Sequence, residues 1–199
     1  NIPVPGSYAW LEPVARPFYA YGRAQARRPY LVQILSSLVI WLIGDITAQS
    51  ISPAGENNTY SPFRTARSLI IGALISIPNY RWFLFLGDCF NYRSRILSLG
   101  TKIVVNQICF TPVFNTYFFG MHSLLSGATW GEIVERVRHT VPISWWNSCK
   151  LWPAVTAFSF TFIPPSFRSI FAGCVAIGWQ TWLTLINQRA ADFEKAEHA

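Results

Sequence analysis

Apolar residues in this chain come in runs too long and too uniform for the surface helix of a soluble protein. Such a helix places apolar residues every three or four positions and leaves one face for water. Residues 30–50, YLVQILSSLVIWLIGDITAQS, carry no charge before Asp45, and about 20 residues at 1.5 Å each cross a hydrocarbon core. The pattern predicts a spanning helix here, opened by Pro29 at a favoured helix start. Residues 51–62, with Pro53, Gly55, Asn57 and Asn58, read as a loop. A second apolar helix is predicted from about Arg64 to Gly87, interrupted at Pro78 and Arg81. A polar loop from Asp88 to Gly100 follows, and a third span begins near Thr101, with no Asp, Glu, Lys or Arg from Ile103 to Gly131.

Between Thr129 and Thr140 the pattern changes. Glu132, Glu135, Arg136 and Arg138 alternate with Ile133, Val134 and Val137, which predicts an amphipathic surface helix. The stretch from Trp146 to Arg168, WNSCKLWPAVTAFSFTFIPPSFR, then has no charge between Leu151 and Phe167. Its polar atoms are mainly the hydroxyls of Thr156, Ser159 and Thr161, which can bond the carbonyl one turn back and so tolerate apolar surroundings. Trp145, Trp146 and Trp152 beside Lys150 fit a lipid headgroup boundary. A last span is predicted from Pro165 to about Arg189, with Gly173 and Gly178 admitting a close neighbour and Trp179 and Trp182 in belt positions near its exit.

Composition agrees with this pattern. The 199 residues are 51% apolar and only 13% charged, against about a quarter charged in soluble domains. A net charge of +7 in a soluble protein would suggest nucleic acid. Here the basic residues are scattered between apolar runs, so an anionic membrane surface is the expected partner. Cys89, Cys109, Cys149 and Cys174 have no metal or disulfide spacing and read as small core residues, and His122, His139 and His198 form no pair at helical spacing. No metal site and no cofactor is expected. Residues 1–28 hold Arg16, Arg23, Arg27 and Arg28 against Glu12, a balance shared by targeting segments and by a matrix or cytosolic anchor. Pro13, Pro17 and Pro29 are expected to interrupt any long amphipathic helix there, which favours the anchor.

Polar groups inside apolar spans are the candidates for function. Asp45 shares a face with Trp41 and Gln49, and lies either near the interface or turned into the bundle toward a cation. Arg81, one turn beyond Pro78, either meets the carbonyl that proline frees or stretches to the headgroups. On the third span Lys102, Asn106 and Cys109 lie along one face and Gln107, Thr111 and Asn115 along the next. These amides either bond across helices or line a water path. Asp45, Arg81, Lys102, Asn106 and Gln107 are the residues expected to face the interior.

The chain resembles the twenty-two-kilodalton peroxisomal membrane protein family, also called the Mpv-seventeen family, over roughly residues 29–187. Gly44-Asp45 with Gln49 resembles its Gly-Asp-x-x-x-Gln, and Arg64-Thr65-Ala66-Arg67 followed by Gly72 its Arg-Thr-x-Arg entrance. Pro78 stands where the family has Gly-Pro-x-x-His, with Arg81 in place of the histidine. Lys102, Asn106, Gln107 and Pro112 follow Lys-x-x-x-Asp-Gln-x-x-x-x-Pro, with Asn106 replacing the acid. Trp152, Pro153, Phe160, Pro164 and Arg168 follow the family's Trp-Pro signature, in which Thr156, Ser159 and Ile163 replace a glutamine, an asparagine and a valine. Trp179 and Leu183 complete the C-terminal pattern.

The resemblance implies a small, weakly selective membrane channel of the mitochondrial inner membrane or of the peroxisome. One carboxylate fewer and one guanidinium more would shift a pore toward anions, or mark a scaffold that has lost conduction. The expected architecture is an all-α polytopic bundle of four to five spans with proline kinks and one amphipathic surface helix. It divides into a basic arm (1–28), one transmembrane domain (29–190) and a polar tail (191–199), with the N-terminus toward matrix or cytosol. The leading function is a channel or modulator of solute permeability in the mitochondrial inner membrane, alone or as a homo-oligomer. The alternative is an accessory subunit of a larger membrane complex. No enzyme is expected, because nucleophile elbow, paired carboxylates, metal spacing and phosphate loop are all missing.

Overall fold

The computed structural model describes residues 12–51, 60–179 and 181, and among these the regular elements are all helical. They are α1 (Glu12–Arg27), α2 (Pro29–Ile51), α3 (Pro62–Asp88), α4 (Arg95–Val105), a π-helical turn (Asn106–Phe110), α5 (Thr111–Leu125), α6 (Trp130–Phe162) and a 3-10 turn (Pro165–Phe167). A final helix, α7, runs over residues 168–179. By length and composition, Pro29–Ile51, Pro62–Asp88 and the rod Arg95–Leu125 are each able to cross a membrane. The protein is thus a helical membrane bundle. The predicted 53–58 loop, the last span beyond Trp182 and the tail lie outside the described residues.

Three predicted boundaries move. The arm is helical over Glu12–Arg27 despite its prolines: Pro13 sits in the first turn, where the N–H has no helical partner, so only Pro17 removes a bond. Helix α4 starts at Arg95 rather than near Thr101, because the Ser94 hydroxyl accepts the Leu97 N–H at 3.3 Å and caps the helix inside the expected loop. The surface helix and the Trp146 segment are one helix, α6, of 33 residues, about 50 Å long. Pro142, between the two predicted segments, lies inside the helix on an exposed face.

The ends of α6 are explicit in the sequence. The Thr129 N–H and hydroxyl both donate to Glu132 Oε2, at 2.7 and 2.8 Å. Those two bonds, the backbone one first, hold the Glu132 carboxyl below its ordinary range. At the other end Ile163, which precedes Pro164, is extended at φ −98° and ψ 127°, as the following proline ring requires.

Helices α2, α3 and α7 approach one another closely at glycines. A methyl group on Gly72 would lie 2.5 and 2.8 Å from Cδ1 and Cδ2 of Trp41 and closer still to Cγ, and Ser37 Oγ donates to Gly72 O at 2.8 Å. Gly173 meets Ile40 of α2, its added Cβ being 3.1 Å from Cδ1. Gly178, also expected at a close approach, has nothing within 4 Å.

Inside and outside are inverted relative to a soluble protein. Among the described residues, buried apolar side chains are few: Ile71, Tyr80, Phe83, Leu86, Ile133 and Ala172. Gln33, Asp45, Gln49, Ser76, Asn106, Asn115, Thr156 and Ser169 are among the more numerous buried polar ones. Large apolar residues face outward, with Ile96 86% and Val113 68% exposed. Only a lipid surround makes such an exterior favourable. The cysteines correct an expectation here. All four are free, and none is buried; Cys109 and Cys174 are exposed, which an apolar solvent permits to a small weakly polar side chain.

Candidate functional site

The polar interior is organised in three networks. At one end α2 and α3 share the carboxylate of Asp45. It accepts from Gln49 Nε2 at 2.7 Å, Thr65 Oγ1 at 2.6 Å and Ser68 Oγ at 3.2 Å, and pairs with Arg64 Nε at 3.4 Å. Thr65 Oγ1 spends its proton on Asp45, so it accepts from Gln49 Nε2 at 3.0 Å and from Tyr60 at 2.7 Å. Gln49 also ties down the start of α3, receiving Ser61 N–H at 2.7 Å. The two short motifs around Asp45 and Arg64 therefore form one buried site.

The second network surrounds the π-helical turn. Thr111 N–H bonds Asn106 O, five residues back. For Gln107 O the α-register donor is that same Thr111 N–H, already spent, and the π-register donor is residue 112, a proline with no N–H. Gln107 O is left without its helical partner, and Trp145 Nε1 of α6 fills it at 2.8 Å. Proline here creates an acceptor and a tryptophan from another helix satisfies it. Trp145→Phe is expected to destabilise the protein by about 2 kcal/mol, the cost of an unmet buried carbonyl, measured by unfolding in mixed detergent micelles. The Asn106 side chain accepts from Trp82 Nε1 at 2.8 Å and donates to Thr156 Oγ1 at 3.3 Å. Asn106 and Thr156 stand where the family resemblance leads one to expect an acid and a glutamine, and here they bond to each other.

The third network holds two buried cations at the opposite end. Lys102 Nζ donates to Gly87 O at 3.1 Å and to Asn91 Oδ1 at 2.7 Å, and lies 5.5 Å from the centroid of Phe160. Arg168 Cζ lies 4.3 Å from the same centroid, and Arg168 Nε donates to Ile163 O at 3.0 Å. Carbonyls at the C-terminal ends of α3 and α6, where the helix dipoles are negative, together with one ring face, compensate both charges. The signature residues Phe160, Pro164 and Arg168 thus close the end of α6.

Between these networks runs a cavity of about 360 Å³. Three helices give it a stripe at three- to four-residue spacing: Gln33, Ser37, Trp41, Asp45 and Ala48 on α2; Thr111, Asn115, Phe118 and His122 on α5; Ser144, Ser148 and Trp152 on α6, while α3 adds Ser68, Ser76 and Asn79. Asn106 of the π turn and Ser169 of α7 complete the polar wall. Phe110, Phe114 and Phe118 stack one on the next, with centroids 5.8 and 6.3 Å apart, and form an aromatic strip along it. Ser169 Oγ bonds Gln33 Oε1 at 2.6 Å. Asn115 Nδ2 is buried with no hydrogen-bond partner among the described residues.

The five residues expected in the interior separate. Asp45 and Asn106 are buried in the cavity wall. Gln107 is buried but turns to α6, donating to Cys149 Sγ at 3.3 Å. Lys102 is buried beyond the cavity and caps α3. Arg81 is the correction: it is exposed, and Nη1 donates to Tyr30 OH at 3.0 Å, so it neither faces the interior nor meets the carbonyl freed by Pro78. Its long stem lets the charge leave an apolar helix face sideways. The expected tryptophan belt is also split. Trp145 bonds Gln107, Trp152 lines the cavity, and Trp146 alone of the three is exposed, at 65%. Sequence reasoning misses the serines and Asn79 on α3, although Ser68, Gly72, Ser76 and Asn79 already share one helical face.

A family model described as the Mpv17 / PMP22 family matches residues 123–184. The chain is 29% identical to Protein SYM1 of Gibberella zeae over 85% of its own length and 96% of the relative's. It is 28% identical to the mitochondrial inner membrane protein Mpv17 of Caenorhabditis briggsae, over 83% and 90%. It is 26% identical to PXMP2/4 family protein 4 of Dictyostelium discoideum, over 80% and 86%. No solved structure matches the chain. Of these relatives, the Caenorhabditis briggsae protein is named as a mitochondrial inner membrane protein, in keeping with the membrane bundle described above. On the family model, the near full-length relatives and the motifs joined in the networks above, the chain is similar along most of its length to proteins of the Mpv17 / PMP22 family.

Proposed function

We propose that the chain forms a narrow passage for small polar solutes across the mitochondrial inner membrane, and that it is not an enzyme. The observation that carries this is the length of a cavity whose largely apolar wall carries a line of amides and hydroxyls. Its wall runs from Gln33 to Ala48 on α2 and from Asn106 to His122 on the rod through α5, about 22–24 Å at 1.5 Å per residue and most of a hydrocarbon core of about 30 Å. A bundle held together by packing alone gains nothing from lining its axis with amides and hydroxyls. Among the described residues no serine or cysteine side chain is hydrogen-bonded to a histidine imidazole, so the wall offers contacts for a solute and no activated nucleophile.

The charges on the wall set the selectivity. Asp45 and Arg64 are paired, and Arg81, the guanidinium that suggested an anion pore, lies outside the cavity, as does Lys102. The passage therefore favours neutral solutes and discriminates weakly between anions and cations. Reconstitution of the purified chain into liposomes tests this. Glycerol is expected to equilibrate faster than in empty liposomes, with a reversal potential near zero in a salt gradient that Arg81→Gln leaves unchanged. Ser148→Phe, which puts a ring into the cavity, is expected to slow flux at least about tenfold. Flux that is absent, or indifferent to Ser148→Phe, overturns the reading. Absent flux together with co-migration of the native protein in a large complex favours an accessory subunit instead.

A further inference from the structure

A groove of about 380 Å³ lies between α1 and α2, walled by Arg23, Arg27, Arg28, Ala24, Leu31 and Val32. It is separate from the three networks and from the cavity. Arg23 and Arg27 are one turn apart on α1, and Arg28 occupies the break before Pro29, its N–H held by Ala24 O at 2.9 Å. Several arginines elsewhere are engaged: Arg64 by Asp45, Arg67 by Ser126, Arg81 by Tyr30 and Arg168 by Ile163. Among the described residues, no carboxylate or hydrogen-bond acceptor holds the side chain of Arg23, Arg27 or Arg28, and all three are exposed.

Three unpaired guanidiniums on one groove attract an anion, and their planar donors match phosphate oxygens two at a time. What adjoins them is apolar. Leu31, in the groove wall, and Leu35, one turn further along α2, are 48% and 55% exposed. A free anion makes no use of that wall, and an uncharged lipid makes no use of three arginines. We propose that this groove binds an anionic phospholipid, its phosphates between Arg23, Arg27 and Arg28 and an acyl chain along Leu31 and Leu35. A lipid with two phosphates fits three guanidiniums best. Bound there, it fastens α1 to the start of α2 at the membrane surface.

The test uses the full chain in uncharged detergent, with bound lipid counted by native mass spectrometry. Cardiolipin is the probe, phosphatidylcholine the neutral control and inorganic phosphate the free-anion control. Cardiolipin is expected to bind at least about tenfold more tightly than phosphatidylcholine, to survive excess phosphate, and to lose that preference in the triple variant Arg23→Gln, Arg27→Gln, Arg28→Gln. Circular dichroism checks that the triple variant keeps its helices. If it does not, Arg27→Gln alone and a salt titration of the unaltered protein read the same interaction, with binding falling as salt rises. Equal binding of the two lipids, equal binding before and after arginine removal, or displacement by phosphate alone each overturns the proposal.

Discussion

Asp45→Ala is expected to lower the stability of the bundle by about 4 kcal/mol, more than any other single substitution in the polar networks. The carboxylate is 4% exposed and four groups converge on it: Gln49, Thr65, Ser68 and Arg64. Removing it strands three donors in a low-dielectric interior, each costing about 1–3 kcal/mol less whatever they recover from one another, as Gln49 and Thr65 do. The ion pair itself adds little, because Arg64 is 36% exposed and solvent screens it. Arg64→Ala is therefore expected to cost about 1 kcal/mol or less, so the two partners of one salt bridge behave unequally. Unfolding in graded detergent mixtures reads both. A loss at Asp45 no larger than at Arg64 would mean that the hydroxyl and amide bonds are not what holds α2 to α3.

Gly72→Ala is expected to cost about 2–3 kcal/mol and to reduce solute flux as well. The added methyl overlaps the Trp41 indole, which packs against Phe118 with centroids 5.9 Å apart. Either α3 moves off α2, losing the bond from Ser37 Oγ to Gly72 O, or the indole turns. Trp41 lines the cavity, so turning it narrows the passage. Trp41→Leu in the same chain makes room for the methyl, and the pair is expected to be more stable than the sum of the single losses by about 1 kcal/mol or more. Strict additivity would show that the two residues do not meet.

Much of the scaffold is readable from residue order alone. The first two predicted spans lie within two residues of α2 and α3, because long apolar runs opened by Pro29 and Pro62 leave little choice of helix. Where sequence and structure part, the deciding partner is distant in sequence. Lys102 looks like a pore residue until Gly87 O and Phe160 are beside it, and Arg81 looks like a bundle residue until Tyr30 draws it outward. Asp45 is readable as a residue seeking a cation, yet its main partners are the neutral Thr65, Ser68 and Gln49. The cavity stripes are within reach, since serines and asparagines at helical spacing inside an apolar span carry the same information as an apolar stripe in a soluble helix.

A passage of this kind needs water to reach the bundle's axis while lipid covers its outside. Single cysteines placed on the two surfaces, in a chain whose four native cysteines are replaced by serine, measure this in reconstituted liposomes. Ser148→Cys, at a buried position in the cavity wall, is expected to react with a small water-soluble thiosulfonate and to lose flux on reaction. Ile108→Cys, 61% exposed on the outer face, is expected to stay unmodified and to conduct as before. Reaction at position 108 with none at position 148 would contradict the inverted bundle and the passage built on it.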